Sequence, residues 1–133
     1  MNGATVKAYS KAKDGSKKLS ANFRVREFAC CDGSDVIFIS EGLVSVLQQI
    51  RSHFGKAVTI NSGYRTVSHN KKVGGAAYSQ HLYGLAADIQ VKGVKPKDVA
   101  EYAEKLLHNT GGIGIYGTFT HIDVRKTKSR WNG

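Results

Sequence analysis

The chain has little proline, little cysteine and few acidic residues: one Pro, two Cys, and ten Asp and Glu against twenty Lys and Arg. One proline against fifteen glycines implies many tight turns. The cysteines, Cys30 and Cys31, are adjacent. Side chains at neighbouring positions point apart and a vicinal bridge is strained, so a disulfide framework is excluded. The pair is also a poor metal site and reads as two ordinary thiols, one of them buried. Long apolar runs are missing too. None approaches the roughly 18 residues of a membrane span, and Met1–Ser20 is basic and polar without the apolar stretch of a secretory signal. Synthesis in the cytoplasm is therefore expected, with access to any outside substrate through lysis or a separate export route.

The shortage of acid leaves a net charge of +10. Such a charge favours an anionic partner: nucleic acid, a membrane surface, or the phosphate-rich polymers of a bacterial wall. A merely solvated basic surface is an equal reading. Nucleic acid is disfavoured, because nothing resembles a recognition helix or an aromatic stacking platform.

At 133 residues the chain fits one domain with a sizeable core. Residues 1–20 carry Lys7, Lys11, Lys13, Lys17 and Lys18 with little apolar content, and read as a basic, loosely packed arm with a hairpin at Asp14-Gly15-Ser16. Residues 21–133 hold the domain. Phe23, Val25 and Phe28 mark a half-buried segment, and Val36–Ile39 is a brief apolar run. Ser40 suits a helix N-cap, Leu43, Val46, Leu47, Ile50 and Phe54 follow at helical spacing, and Gly55 suits the stop. Ala57–Asn61 reads as a strand feeding the turn Ser62–Thr66, and His69–Ala77 as loop or short irregular helix. Ala86–Val91 is a second strand, and Pro96 opens a second helix with Val99, Ala103, Leu106 and Leu107 as its stripe. Ile113–Tyr116 and Phe119–Arg125 are further strands, and the basic tail from Lys126 has Trp131 as its one large anchor. The pattern gives an α+β fold: a small, mostly antiparallel sheet with helices packed on it.

The chemistry concentrates in Ser79–Asp88 and Phe119–Asp123. His81 and Asp88 are separated by six residues, and His121 lies about thirty positions on. Two imidazoles and a carboxylate suit a catalytic zinc ion, because they leave its fourth tetrahedral position to water. Strand alternation puts Phe119, His121, Asp123 and Arg125 on one face, with the Cα atoms of His121 and Asp123 roughly 6.5–7 Å apart. Asp88 is flanked by Ala87 and Ile89, where a carboxylate is costly to bury unless it meets a cation or hydrogen bonds. Gly84 lets the chain fold back toward a shared ion. Each signal alone is weak; together they reach a metal site of hydrolytic type and no further.

Ser62-Gly63-Tyr64-Arg65-Thr66, then Ser79-x-His81-x-x-Gly84-x-Ala86-x-Asp88, then His121-x-Asp123 resembles the M15 family of zinc peptidases, which includes D-Ala-D-Ala carboxypeptidases and shares its fold with the hedgehog signalling domain. The match runs from about Asn22 to Trp131. The resemblance implies one zinc ion on His81, Asp88 and His121, with Arg65 lining the substrate cleft. A guanidinium there can hold a substrate carboxylate or stabilise a developing oxyanion. Tyr64 and Ser79 are further candidate substrate contacts, though Ser79 equally suits a turn cap. Several better-known members carry a Glu or a second His shortly before the last ligand; here Ile115–Thr120 supplies neither. Asp123 is then the expected general base, with fixing a ligand imidazole as its alternative role.

The function expected from the resemblance is hydrolysis of a bond in the peptidoglycan stem peptide, by a monomer of carboxypeptidase or endopeptidase type. A phage- or prophage-like lysin that adheres to anionic wall polymers fits the charge and the compact chain. A non-catalytic zinc-binding module of the same fold is the competing expectation.

Overall fold

A computed structural model describes residues 5–133. The elements run β1 (Val6–Ser10), α1 (Lys11–Asp14), β2 (Lys18–Ser20), β3 (Phe23–Arg24), β4 (Val36–Ser40), α2 (Glu41–Phe54), β5 (Val58–Ser62), α3 (Val67–Lys72), β6 (Ala86–Val91), α4 (Pro96–Leu107), β7 (Gly112–Ile115), β8 (Thr120–Asp123) and β9 (Ser129–Asn132). Single 3-10 turns occupy Val25–Phe28 and Gln80–Tyr83. The fold is α+β, as the residue pattern implied, and no helix among the described residues is long and apolar enough to cross a membrane.

The two long helices form where their caps dictate. Ser40 Oγ accepts the Leu43 amide at 3.3 Å to open α2, and Gly55 closes it at φ 63°, a backbone state only glycine adopts freely. Pro96 occupies the first turn of α4, where its missing N–H costs nothing. Leu43, Val46, Leu47 and Ile50 of α2 and Val99, Ala103 and Leu107 of α4 are buried. Each of the Leu, Ile and Val side chains among these contributes about 1.5–3 kcal/mol when fully removed from water.

These helices cover one face of a five-stranded sheet in the order β5-β6-β8-β7-β9. Ala87, Ile89, Ile113 and Ile122 point into that core. Every pairing is antiparallel except β7 with β9, which is parallel. The basic tail therefore does more than anchor through Trp131: it adds the edge strand.

The N-terminal segment departs from the expected loose arm. Val6–Ser10 pairs antiparallel with Val36–Ser40 over its whole length. Asp35 locks the junction, accepting from the Ser10 hydroxyl at 2.7 Å and from the Ala12 amide at 2.8 Å. In place of a hairpin at Asp14-Gly15-Ser16 there is one helical turn, Lys11–Asp14, capped by Ser10. The reason is backbone pairing: β1 gains its order from main-chain hydrogen bonds while its side chains stay largely exposed, so composition concealed it. Cys30 is buried and Cys31 exposed, both as free thiols.

Candidate metal centre

Strand register assembles the centre. Ser62 of β5 lies opposite Asp88 of β6, Asp88 opposite His121 of β8, His121 opposite Gly114 of β7, and Gly114 opposite Trp131 of β9. One cross-strand row thus runs the width of the sheet, on the face away from the helices. His81 joins from the 3-10 turn Gln80–Tyr83. Ser79 Oγ accepts the His81 amide at 3.3 Å to start that turn, and Gly84 ends it at φ 71°. A Cβ on Gly84 would run into the Phe38 carbonyl, so the turn seats against β4 only because this residue is glycine. His81, Asp88 and His121 are all buried, and each offers a donor atom within 4.8 Å of the others.

The hydrogen bonds fix which nitrogen faces inward. His81 Nδ1 lies 2.7 Å from the Gly63 carbonyl, which only accepts, so Nδ1 carries the proton and Nε2 faces Asp88 Oδ1 at 3.3 Å. His121 Nε2 lies 2.7 Å from Asp123 Oδ2, so its Nδ1 faces Asp88 Oδ1 at 2.9 Å. Two donors on a tetrahedral zinc ion stand roughly 3.3 Å apart, given bonds of about 2.0–2.1 Å. The three side chains therefore match a zinc ligand set in donor chemistry, in spacing and in tautomer.

Electrostatics support the same arrangement. Burial opposes ionisation of Asp88, but hydrogen bonds with His121 and His81 outweigh it and hold the carboxyl below the usual carboxylate range. Burial disfavours a charged His121, yet Asp123 and Asp88 raise its pKa above the ordinary imidazole value. A site that concentrates negative potential on one imidazole is a site for a cation, and a divalent ion competes with that second proton.

Arg65 stands beside this triad with its side chain only 16% exposed. Its Nε donates to Ser62 Oγ at 3.1 Å, Nη1 to Asn70 Oδ1 at 3.2 Å, and Nη2 lies 3.5 Å from Asp88 Oδ2. Ser79 caps the His81 turn. Tyr64, expected at the substrate, is instead a core side chain, edge-on to Phe38 at 5.4 Å between ring centroids, and burial pushes its hydroxyl's pKa up. Asp123 shares the strand face of His121, as alternation required, but it lies behind the ring and is wholly buried. Arg125 Nε donates to its Oδ1 at 2.8 Å, and Arg125 Nη2 to its Oδ2 at 2.7 Å. Burial works against its ionisation, but the bonds to Arg125 and His121 hold its pKa well below the usual range.

Two parts of the centre escaped the sequence reading. Trp131 packs against His121 at 5.0 Å between ring centroids, donates from Nε1 to the Tyr116 hydroxyl at 2.9 Å, and lies under Arg125. Gly112 and Gly114 make this possible, because a Cβ on Gly114 would fall 2.5 Å from the indole and one on Gly112 would collide with the Asp123 carboxylate. The signal was there in Gly112-Ile113-Gly114-Ile115: with a period of two, glycine lines one face and isoleucine the core. A separate groove of about 760 Å³, lined by Tyr9, Val44, Gln48, His53 and Tyr102 among others, shares no residue with the centre. Its Gln48 is already bonded to Ser20, Asn22 and Ser52.

A family model described as peptidase M15 matches residues 21–123, most of the chain. A 44-residue stretch is 50% identical to the zinc D-Ala-D-Ala carboxypeptidase of Streptomyces albus G, covering 32% of this chain and 17% of that protein. Over 95 residues the chain is 32% identical to the peptidoglycan L,D-endopeptidase MepK of Escherichia coli K12, covering 65% of this chain and 51% of that protein. The chain thus spans about half, or less, of the length of these relatives. The matched region contains Arg65, His81, Asp88, His121 and Asp123, the residues that the sheet and the Gln80–Tyr83 turn bring together. With that geometry and that match, the chain belongs to the peptidase M15 family.

Proposed function

We propose that the chain is a zinc-dependent peptidase that hydrolyses a bond in the peptidoglycan stem peptide, with one zinc ion on His81 Nε2, Asp88 and His121 Nδ1. The observation that carries this reading is the ligand triad with both imidazole tautomers already set, beside a part-buried guanidinium. Zinc, when bound, supplies Lewis-acid polarisation of the scissile carbonyl and a water whose pKa is lowered to near ~7. The chain's own residues do the positioning. The Gly63 carbonyl and Asp123 each hold one imidazole proton on the side away from the metal. Arg65, braced by Ser62 and Asn70, presents the guanidinium that binds a substrate carboxylate or the oxyanion as it forms.

The role of Asp123 changes in this reading. Both oxygens are engaged by Arg125 and His121, and no part of the side chain reaches solvent. A group so placed orients His121 and is poorly placed to shuttle protons to substrate, so we assign it the orienting role in preference to the general base. The net charge of +10 supports adhesion to anionic wall polymers, in keeping with action on the wall after release. Both kinds of relative, one acting at D-Ala-D-Ala and one cutting an L,D-linkage, leave the bond to experiment.

The same engagement of Asp123 favours one competing reading, a zinc-binding module without turnover. Mass spectrometry of purified peptidoglycan fragments, incubated with the protein with and without chelator, separates them. Metal-dependent loss of a terminal D-Ala makes the chain a carboxypeptidase, and a metal-dependent internal cut an endopeptidase. No cleavage despite bound zinc sinks the peptidase reading.

A further inference from the structure

Strand β8 places the Cα of His121 but leaves the aim of its ring open. Rotation of an imidazole about Cβ–Cγ is broad and roughly two-fold. A half-turn exchanges Nδ1 with Cδ2 and Nε2 with Cε1, so it would turn carbon toward both Asp88 and Asp123 and forfeit the contacts of 2.9 and 2.7 Å. Asp123 directs the ring only while it stays in place. Its side chain has no exposed surface, although Arg125, which holds it, is 29% exposed.

The neighbour that closes this side is Trp131. It stands opposite Gly114 in the β7–β9 register, and its indole lies across that bare α-carbon, where a Cβ would fall 2.5 Å away. The indole packs on His121 with ring centroids 5.0 Å apart, and the Arg125 guanidinium lies 5.5 Å over the same indole. One side chain thus touches both the ligand and the cation that holds the ligand's outer partner. The core cluster of the described residues does not include Trp131, so apolar anchoring is a poor account of its placement.

The indole is fixed from two directions. Its Nε1 donates to the Tyr116 hydroxyl at 2.9 Å, and Tyr116 stacks on Phe119 with centroids 4.4 Å apart. A four-residue strand paired along one edge opens readily unless something else holds it. For β9 that hold is Arg130, which strand alternation turns toward the helices while Trp131 faces the metal side. Arg130 Nε and Nη2 donate to the two Glu104 carboxylate oxygens of α4 at 2.6 and 3.1 Å. Its Nη atoms also reach the carbonyls of Gly111, His108 and Thr110 at 2.6, 3.0 and 3.1 Å.

We infer that Trp131 is a positioning residue of the metal centre: carried on β9, it holds the His121 ring and the Asp123–Arg125 pair behind it so that Nδ1 is presented to the metal. The inference rests on the zinc reading of the triad and adds a residue outside the ligand set.

The test uses the full chain, with chelator competition for zinc affinity and long-range proton–nitrogen NMR to identify the metal-bearing nitrogen of His121. In the wild type zinc is expected on Nδ1 with the proton on Nε2, and NOEs should link the indole to the carbon-bound ring protons of His121 with and without zinc. Trp131→Leu keeps apolar bulk over Gly114 but removes the ring. It should weaken zinc binding about 10- to 100-fold, the scale of losing an outer partner of a ligating histidine, and replace the single His121 pattern by a mixture. Trp131→Phe, which restores an aromatic face without the Tyr116 bond, should recover most of the affinity and the single pattern. A Trp131→Leu protein with wild-type affinity and a single Nδ1 pattern overturns the inference, even where its melting temperature falls, because that result describes an anchor alone. Absence of the NOEs in the wild type overturns it whatever the variants do. A wild type that shows the NOEs but takes up no zinc sinks the zinc reading instead and leaves the ring placement standing.

Discussion

Replacing Asp123 with asparagine alters one atom of a wholly buried side chain whose oxygens accept from both His121 and Arg125. The amide has two ways to sit, and each loses a bond. With its oxygen toward His121, its NH2 faces the guanidinium of Arg125, donor against donor. With its NH2 toward His121, it donates to Nε2 and moves the ring proton to Nδ1, the atom that faces Asp88. Loss of an outer partner of a ligating histidine costs about 10- to 100-fold in metal affinity, or about 1.4–2.7 kcal/mol. Loss of a charge-assisted hydrogen bond to Arg125 costs folding stability about 1.5–3 kcal/mol besides. Competition with a chromophoric chelator gives the zinc affinity, and turnover is then measured at saturating zinc. The orienting role predicts weakened zinc binding, with most turnover recovered once the site is filled. Unchanged zinc affinity with turnover abolished at saturation would instead make Asp123 the proton acceptor and refute the reasoning.

Gly114→Ala places a methyl group 2.5 Å from the Trp131 indole, so the ring must leave His121 and Tyr116 or the strands must part. Overpacking of this kind costs about 1–3 kcal/mol. The change should shift the emission of Trp131, the single tryptophan; wild-type emission and melting temperature would show the packing to be looser than described. The metal-free protein should lose stability as pH rises from 6 to 9. His121 has a folded-state pKa raised above about 6.5, so its contribution is complete below that value and disappears as pH passes the raised one. Asp88 and Asp123, with depressed values, contribute above about 3.9 and lose their effect only in stronger acid. Zinc-loaded protein should show the opposite slope between pH 6 and 8, because proton and metal compete for Nδ1. A metal-free melting temperature independent of pH from 6 to 9 would contradict the His121 assignment.

Much of this architecture could be read from local signals. Ser40 and Gly55 bound α2, and Pro96 opens α4, because caps act within a few residues. The triad was visible because the histidines and Asp88 stand out from apolar strand neighbours. What remained hidden depends on distant pairing. No local pattern announces that Ser129–Asn132 runs parallel to β7, so Trp131 looked like a tail anchor when it is a neighbour of His121. β1 was missed because its exposed Lys7 and Ala8 give no alternation, and its order comes from β4. For Asp123, alternation fixed the face but left the ring nitrogen it meets undetermined, and that contact is what the proposed orienting role rests on. Tyr64 sits within a motif that points to substrate, yet its burial against Phe38 depends on where β4 lies.

The most direct test of the central claim is the zinc content and zinc affinity of the protein beside His81→Ala, Asp88→Ala and His121→Ala, measured by elemental analysis and chelator competition. One ion per chain in the wild type, with a large loss of affinity in each of the three variants, is the predicted result. Wild-type zinc affinity in any one of them would contradict the assignment of a single ion to these three side chains.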